Sequence, residues 1–127
     1  MSAQDDAGVV RRAYDAFSRG DMATLTKLIA ADAEWHVAGR NRLSGHKRGR
    51  DEIFVYFQAL GTMNVKVELH DIVANDEHVV GLHRATGEWN GKSLRQRVAI
   101  AFHVRSGQIR EAWEQGDDTR LLDEYVE

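Results

Sequence analysis

The hydrophobic period of this chain changes once, near Asn64, from about 3.6 residues to 2, and that switch limits the possible folds more than any other feature. Before it, Val9, Val10, Ala13, Tyr14 and Phe17 recur at helical spacing, with Asp5 and Asp6 as expected caps and Gly20 as the stop. Asp21 is the expected cap of a second helix carrying Met22, Leu25, Leu28 and Ile29 on one side. Residues 33–37 read as a strand and residues 38–50 as a long loop. Ile53, Phe54, Phe57 and Leu60 mark a third helix closed by Gly61.

After the switch, Val65, Val67 and Leu69 alternate with Lys66, Glu68 and His70, whereas Ile72 and Ala74 fall on the opposite parity. That reversal predicts a bulge near His70 and Asp71. Residues 75–77 have turn chemistry, and a strand is expected over 78–89. Asn90-Gly91 is the strongest hairpin signal in the chain, because a two-residue type I′ turn needs positive φ at both positions. A strand over 93–104 should therefore return antiparallel, and Ser106-Gly107 should turn the chain into a last strand over 108–115. The acidic tail carries Asp117, Asp118, Asp123, Glu124 and Glu127 around Leu121, Leu122, Tyr125 and Val126. Helices followed by hairpin-linked strands imply an α+β fold, with the helices on one side of a bent, mostly antiparallel sheet. A bent sheet around helices encloses a concave, apolar space where a ligand site is expected.

With 127 residues, the chain has the size of one domain, and no linker or repeat divides it, so residues 1–127 read as a single unit. The absence of cysteine excludes disulfides, zinc knuckles and a thiol nucleophile. A net charge of −3 argues against nucleic acid or an anionic membrane as the main partner. No apolar run approaches the roughly 20 residues that span a bilayer, and the start MSAQDDAG is acidic where a signal peptide is basic, so the cytoplasm is the expected location. No histidine spacing suits zinc: His78 and His83 are five residues apart, on opposite faces of one strand, so no metal is expected.

Several segments, in order, resemble a known family. They are Val10 to Asp21 (VRRAYDAFSRGD), Ala31 to Val37 (ADAEWHV), LSG at Leu43 with GRDEI from Gly49, HRAT from His83, and Val104 to Glu114 (VRSGQIREAWE). Together they are similar to the SnoaL-like, polyketide-cyclase-like branch of the nuclear transport factor 2-like (NTF2-like) superfamily, which also contains ketosteroid isomerase. The resemblance implies a cone of three N-terminal helices and a curved sheet, a cystatin-like roll with an internal pocket. It also implies a homodimer through the outer sheet face. The superfamily holds isomerases, cyclases, dehydratases, hydrolases and plain binding proteins, so the fold does not name the reaction. Steroid isomerase chemistry is excluded residue by residue. Aligning Gly20-Asp21 and Trp89-Asn90-Gly91 with that enzyme's pattern puts Ala13, Val37 and Ile100 at its three functional positions, and none of them transfers a proton.

In polyketide cyclases of this branch the general acid/base is an aspartate after a tryptophan on the last strand, and the matching position here is Glu114, after Trp113. Its facing direction depends on one turn. A three-residue loop at 105–107 would set Glu114 in one inward row with Val98 and His83, with roughly 10 Å between the outer backbones. A two-residue turn at Ser106-Gly107 would instead turn Glu114 outward and Trp113 inward. The family motif favours the first version, with Glu114 and His83 as catalytic candidates, because burial raises a carboxylate's pKa toward neutrality. The other reading of His83 is a core histidine with its hydrogen bond satisfied. Tyr14, Phe17, Trp35, Val37, Phe54, Phe57, Val98, Ile100, Phe102 and Ala112 are the expected ligand-contacting walls.

The activity so implied is cofactor-independent acid/base catalysis of the isomerase, cyclase, dehydratase or hydrolase type on a small, largely apolar substrate. The alternative is a dimeric small-molecule carrier without turnover. His36 and His103 are expected on the outer face, and Gly81, Ala99 and Ala101 would pack that face closely in a dimer. His70 and Asp71 are either an acid/base couple or the polar residues of a bulge, and the bulge is favoured. The basic stretch holding Arg40, Arg42, Lys47, Arg48 and Arg50 is either an anion-attracting lid, a nucleic-acid contact, or a solvated loop whose arginines pair with acids of the tail. The last is favoured.

Overall fold

The computed structural model describes residues 2–127. The elements are α1 (Ala3–Arg19), α2 (Met22–Leu28), β1 (Ile29–Val37), β2 (Gly45–Arg48), α3 (Arg50–Thr62), β3 (Lys66–Ala74), β4 (Val79–Trp89), β5 (Lys92–Arg105), β6 (Gln108–Gly116) and α4 (Thr119–Tyr125). The strands form one sheet in the order β2-β1-β6-β5-β4-β3, in which the β1–β6 pair is parallel and every other pair is antiparallel. This is the expected α+β architecture, a curved open sheet with the N-terminal helices packed on one face.

Local chemistry explains the boundaries. Ser2, rather than Asp5 or Asp6, caps α1: its hydroxyl accepts from the Asp5 N–H, and the Asp5 carboxylate accepts from the Ser2 N–H. Gly20 ends α1 in the left-handed region, where a residue without Cβ is least strained. Asp21 caps α2 through the Thr24 N–H, as expected. Ile29 belongs to the strand rather than to α2. The stretch expected as a long loop contains β2, which pairs with β1 from Val37↔Gly45 to Glu34↔Arg48. The tail forms α4, a fourth short helix that buries Leu122 and Tyr125.

Two bulges set the facing directions. His70 is the extra residue between Leu69↔His83 and Asp71↔Leu82, so the predicted break in β3 is present. The second was not expected. Ser106 and Gly107 form a two-residue turn with φ of 55° and 76°, closed by Arg105↔Gln108 and Val104↔Ile109. The next pair is His103↔Glu111, which leaves Arg110 unpaired. One extra residue reverses the parity of the rest of β6, so Ala112 and Glu114 face inward and Trp113 faces outward.

Gly81 faces inward, which corrects its placement on the outer face. A Cβ there would lie 2.6 Å from Tyr14 Oη, so this glycine is where α1 approaches the sheet backbone. The basic stretch also differs from expectation. Asp123 of the tail accepts from the Arg40 backbone N–H and Asn41 Nδ2 rather than from a guanidinium, and Arg50 donates to the carbonyls of Thr26 and Ile29.

Candidate active site

The inner face of β5 presents Val98, Ile100 and Phe102, all buried, and its pairings locate the polar groups. His83 lies opposite Val98, as the Asn90-Gly91 turn requires. Val98, however, lies opposite Gly116, and Glu114 lies opposite Ile100. The expected single row of His83, Val98 and Glu114 is therefore corrected: the glutamate faces inward but is displaced by two residues along β6. Glu114 also lies beside Val37 of the parallel strand β1.

An apolar cavity of about 60 Å³ lies between this face and the helices. Tyr14 and Phe17 of α1, Trp35 of β1, Phe57 of α3, and Ile100 and Phe102 of β5 line it, together with His83 and Glu114. Ala13, Leu25, Ile29, Leu60 and Val67 complete the wall, and the sequence reading did not include them. Four expected wall residues lie elsewhere. Val37 and Ala112 are packed into the sheet around the site, Val98 is buried beside it, and Phe54 lines a surface groove along α1 and α3. That groove shares Phe17, Leu25, Phe57 and Val67 with the cavity, so these residues form the partition between outside and inside.

The Glu114 carboxylate is held at both oxygens. Trp35 Nε1–H donates to Oε1 at 2.9 Å, and the Tyr56 hydroxyl donates to Oε2 at 2.8 Å. Burial pushes the Glu114 pKa up, while the bonds from Trp35 and Tyr56 and the charge of Lys47 pull the other way. Lys47, from the strand missed in the sequence, places its ammonium 5.5 Å from the centroid of the Tyr56 ring and donates to the Ser44 carbonyl. Its own pKa is lowered by partial burial, against the pull of Glu52 and Glu114. Tyr56 is raised by burial and then by the neighbouring carboxylate.

The second polar unit is His83 with Tyr14, whose Oη and Nδ1 are 2.7 Å apart. Burial alone pulls the His83 pKa down to about 4, so the imidazole is neutral at pH 7. The Tyr14 pKa is raised by burial and by the field of Glu114, so the phenol keeps its proton. We assign that proton to a bond from Tyr14 to Nδ1, which leaves the proton of a neutral imidazole on Nε2 as a donor. An apolar cavity is therefore lined by a carboxylate of raised pKa and by a neutral phenol–imidazole pair. Tyr56 was legible: with Ile53, Phe57 and Leu60 it completes an i, i+3, i+4, i+7 stripe. Among the described residues, no group of three or more histidines or carboxylates is placed to hold a metal ion.

Comparison with known proteins agrees with this architecture. The fold is NTF2-like, and a protein of that type from Burkholderia xenovorans LB400 superposes with a TM-score of 0.86 at 26% identity, over 100% of this chain and 99% of the other. The SnoaL-like domain family matches residues 10–112, and the chain belongs to that family. Bal32a, from a soil-derived mobile gene cassette, is similar over 98% of both chains, with 36% identity and a TM-score of 0.95. IdmH of Streptomyces antibioticus, a candidate polyketide cyclase, is 25% identical with a TM-score of 0.77, over 92% of this chain and 95% of the other. Uncharacterized protein Rv0034 of Mycobacterium tuberculosis (strain ATCC 25618 / H37Rv) is 38% identical over 100% of this chain and 93% of its own length. The ligand class of such a SnoaL-like domain is a small molecule. No helix among the described residues is long and apolar enough to cross a membrane.

Proposed function

We propose that this SnoaL-like protein is a cofactor-independent acid/base catalyst acting on a small, largely apolar substrate that carries a carbonyl or hydroxyl group. The observation that carries this reading is one apolar cavity whose wall includes both Glu114 and the His83–Tyr14 pair. Each carboxylate oxygen has two lone pairs and spends one on Trp35 or Tyr56, so the group can still accept a proton. A carboxylate of raised pKa is a stronger base once ionised, and the neutral imidazole can donate to a developing oxyanion without first losing a proton. The reaction class is proton abstraction next to a carbonyl, as isomerisation, cyclisation or dehydration requires. Two copies of the chain would associate through the outer face of the sheet, around Trp113.

The test is exchange of α-hydrogens of small cyclic ketones in heavy water, followed by NMR. The parent should accelerate exchange, and Glu114→Gln should lower the rate by about 10² to 10⁴. Equal exchange in the two proteins would remove Glu114 as the base. A second reading has its own support: both Glu114 oxygens are engaged, and the cavity is narrow, as suits a carrier. Ketone binding without exchange in either protein would establish that alternative.

A further inference from the structure

The cavity lined by Glu114 and the His83–Tyr14 pair holds about 60 Å³, whereas sites for small organic ligands run to roughly 300–1,000 Å³. A substrate that meets both polar groups must therefore displace part of the wall and continue beyond it. Two outer grooves abut that wall. One meets it at Tyr14 and Val67, but Tyr14 is held by its 2.7 Å bond to His83. The other, about 970 Å³ along α1 and α3, meets it at Phe17, Leu25, Phe57 and Val67, whose side chains have no polar atom to tie them down. Moving these side chains breaks dispersion contacts and no hydrogen bond, so the wall yields here first.

This second groove is apolar at a place where it meets water. Met22 and Val55, which are 41% and 66% exposed, line it together with Phe54. Exposed apolar side chains gathered along a cleft are the mark of a ligand groove. A line of rings connects the groove with the carboxylate: Phe54 stacks on Phe57 at 6.1 Å, Phe57 meets Trp35 edge-on at 5.1 Å, and Trp35 Nε1–H donates to Glu114. Phe17 covers that line from α1, edge-on to Phe57 at 5.2 Å.

We propose that this groove is the tail site of an elongated substrate. The carbonyl- or hydroxyl-bearing head passes the displaced Phe17 and Phe57 rings to reach Glu114 and His83, and an apolar tail stays outside along Met22, Phe54 and Val55. The ligand class is then a small oxygenated ring or chain end that carries a hydrocarbon tail. This rests on the catalytic or binding use of the cavity proposed above.

Cyclohexanone and 4-pentylcyclohexanone share a head and differ only in the tail, so together they test the groove. Titrated calorimetrically into the parent, the tailed ketone should bind about ten- to a hundredfold more tightly, as several partly buried methylenes require. Protein carrying both Met22→Asp and Val55→Asp should lose most of that gain and keep its cyclohexanone affinity. It should melt within about 5 °C of the parent, because both side chains are exposed. Nuclear Overhauser contacts from the pentyl methyl to the Met22 and Val55 methyls should locate the tail directly. Equal affinity of the parent for the two ketones, a gain that survives the double substitution, or tail contacts elsewhere on the chain would overturn the tail site and leave the cavity reading intact. Equal affinities together with a doubly substituted protein that sediments lighter than the parent would give the groove to a second copy of the chain instead. If neither ketone binds the parent, the cavity reading itself fails, and this inference with it.

Discussion

The imidazole of His83 is 5% exposed and bonded only to a phenol, an environment that opposes its charge. Its pKa is about 4 in the folded chain against an ordinary value of 6.5, and this has a definite sign for stability. Between those values the unfolded chain binds the proton and the folded chain does not, so stability rises with pH across the window and is lost as pH falls from 6.5 to 4. At 1.36 kcal/mol per pH unit, the full loss is roughly 3 kcal/mol. Glu114 works in the opposite sense: its raised pKa makes the folded state the better proton binder, so its ionisation removes stability as pH rises above the ordinary carboxylate range. A substitution at position 83 separates the two. The stability difference between the parent and His83→Gln, from urea unfolding, should shrink by about 3 kcal/mol between pH 7 and pH 4. A difference independent of pH would show that the histidine is charged in the folded state or open to water.

At the scale of elements, the facing of Glu114 is decided by the number of residues in β6 rather than by their identity. Arg110 is the extra residue of the bulge, and its side chain reaches only the Arg105 carbonyl and the exposed carboxylate of Asp32. Arg110→Ala should therefore change stability by less than about 0.5 kcal/mol. Deleting Arg110 should cost several kcal/mol, because Glu114 would leave its donors and Trp113 would be forced against the helices. Calorimetric melting of the two variants side by side checks this, and equal stability would mean that the bulge does not set the register. The same bulge shows where sequence reading stops. The three first helices, the Asn90-Gly91 turn, the His83↔Val98 pairing and the break at His70 were legible because each leaves a periodic or turn-specific mark. An unpaired arginine between two alternating runs leaves none, since Ile109, Glu111 and Trp113 fit a plain strand as well as Ala112 and Glu114 do. The strand β2 was missed for another reason. Its four residues, GHKR, lie at the sheet edge and alternate nothing, and Lys47 beside Glu114 was hidden with them.

On the scale of the whole molecule, the inward face is closed by helices and the outward face is left with aromatic surface. Trp113 is 38% exposed there, stacked on His36 at 5.4 Å and edge-on to His103 at 5.0 Å. The row continues to His46, which stacks on His36 at 4.2 Å, and to His78, 4.6 Å from His103, so five rings touch in series across the sheet. The expectations for His36 and His103 on this face therefore hold in geometry, and exposed Ala99 leaves the neighbouring backbone open to close approach. A central exposed indole among flat rings, with Glu111 bonded to His36 and Glu34 to His46 beside it, has the apolar centre and polar edge of a self-complementary patch. Two copies related by a twofold axis would place indole near indole, each covered by the other's imidazoles. Replacing such an anchor with a charge typically costs 2 kcal/mol or more, about a thirtyfold rise in dissociation constant. Sedimentation of the parent should therefore show a dimer that weakens on dilution. Trp113→Asp should sediment as a monomer and melt lower than the parent mainly by the concentration-dependent stabilisation that association provides, because its side chain fills no space inside the cone. A parent that stays monomeric at high micromolar concentration would leave this face to solvent and confine function to the cavity within a single chain.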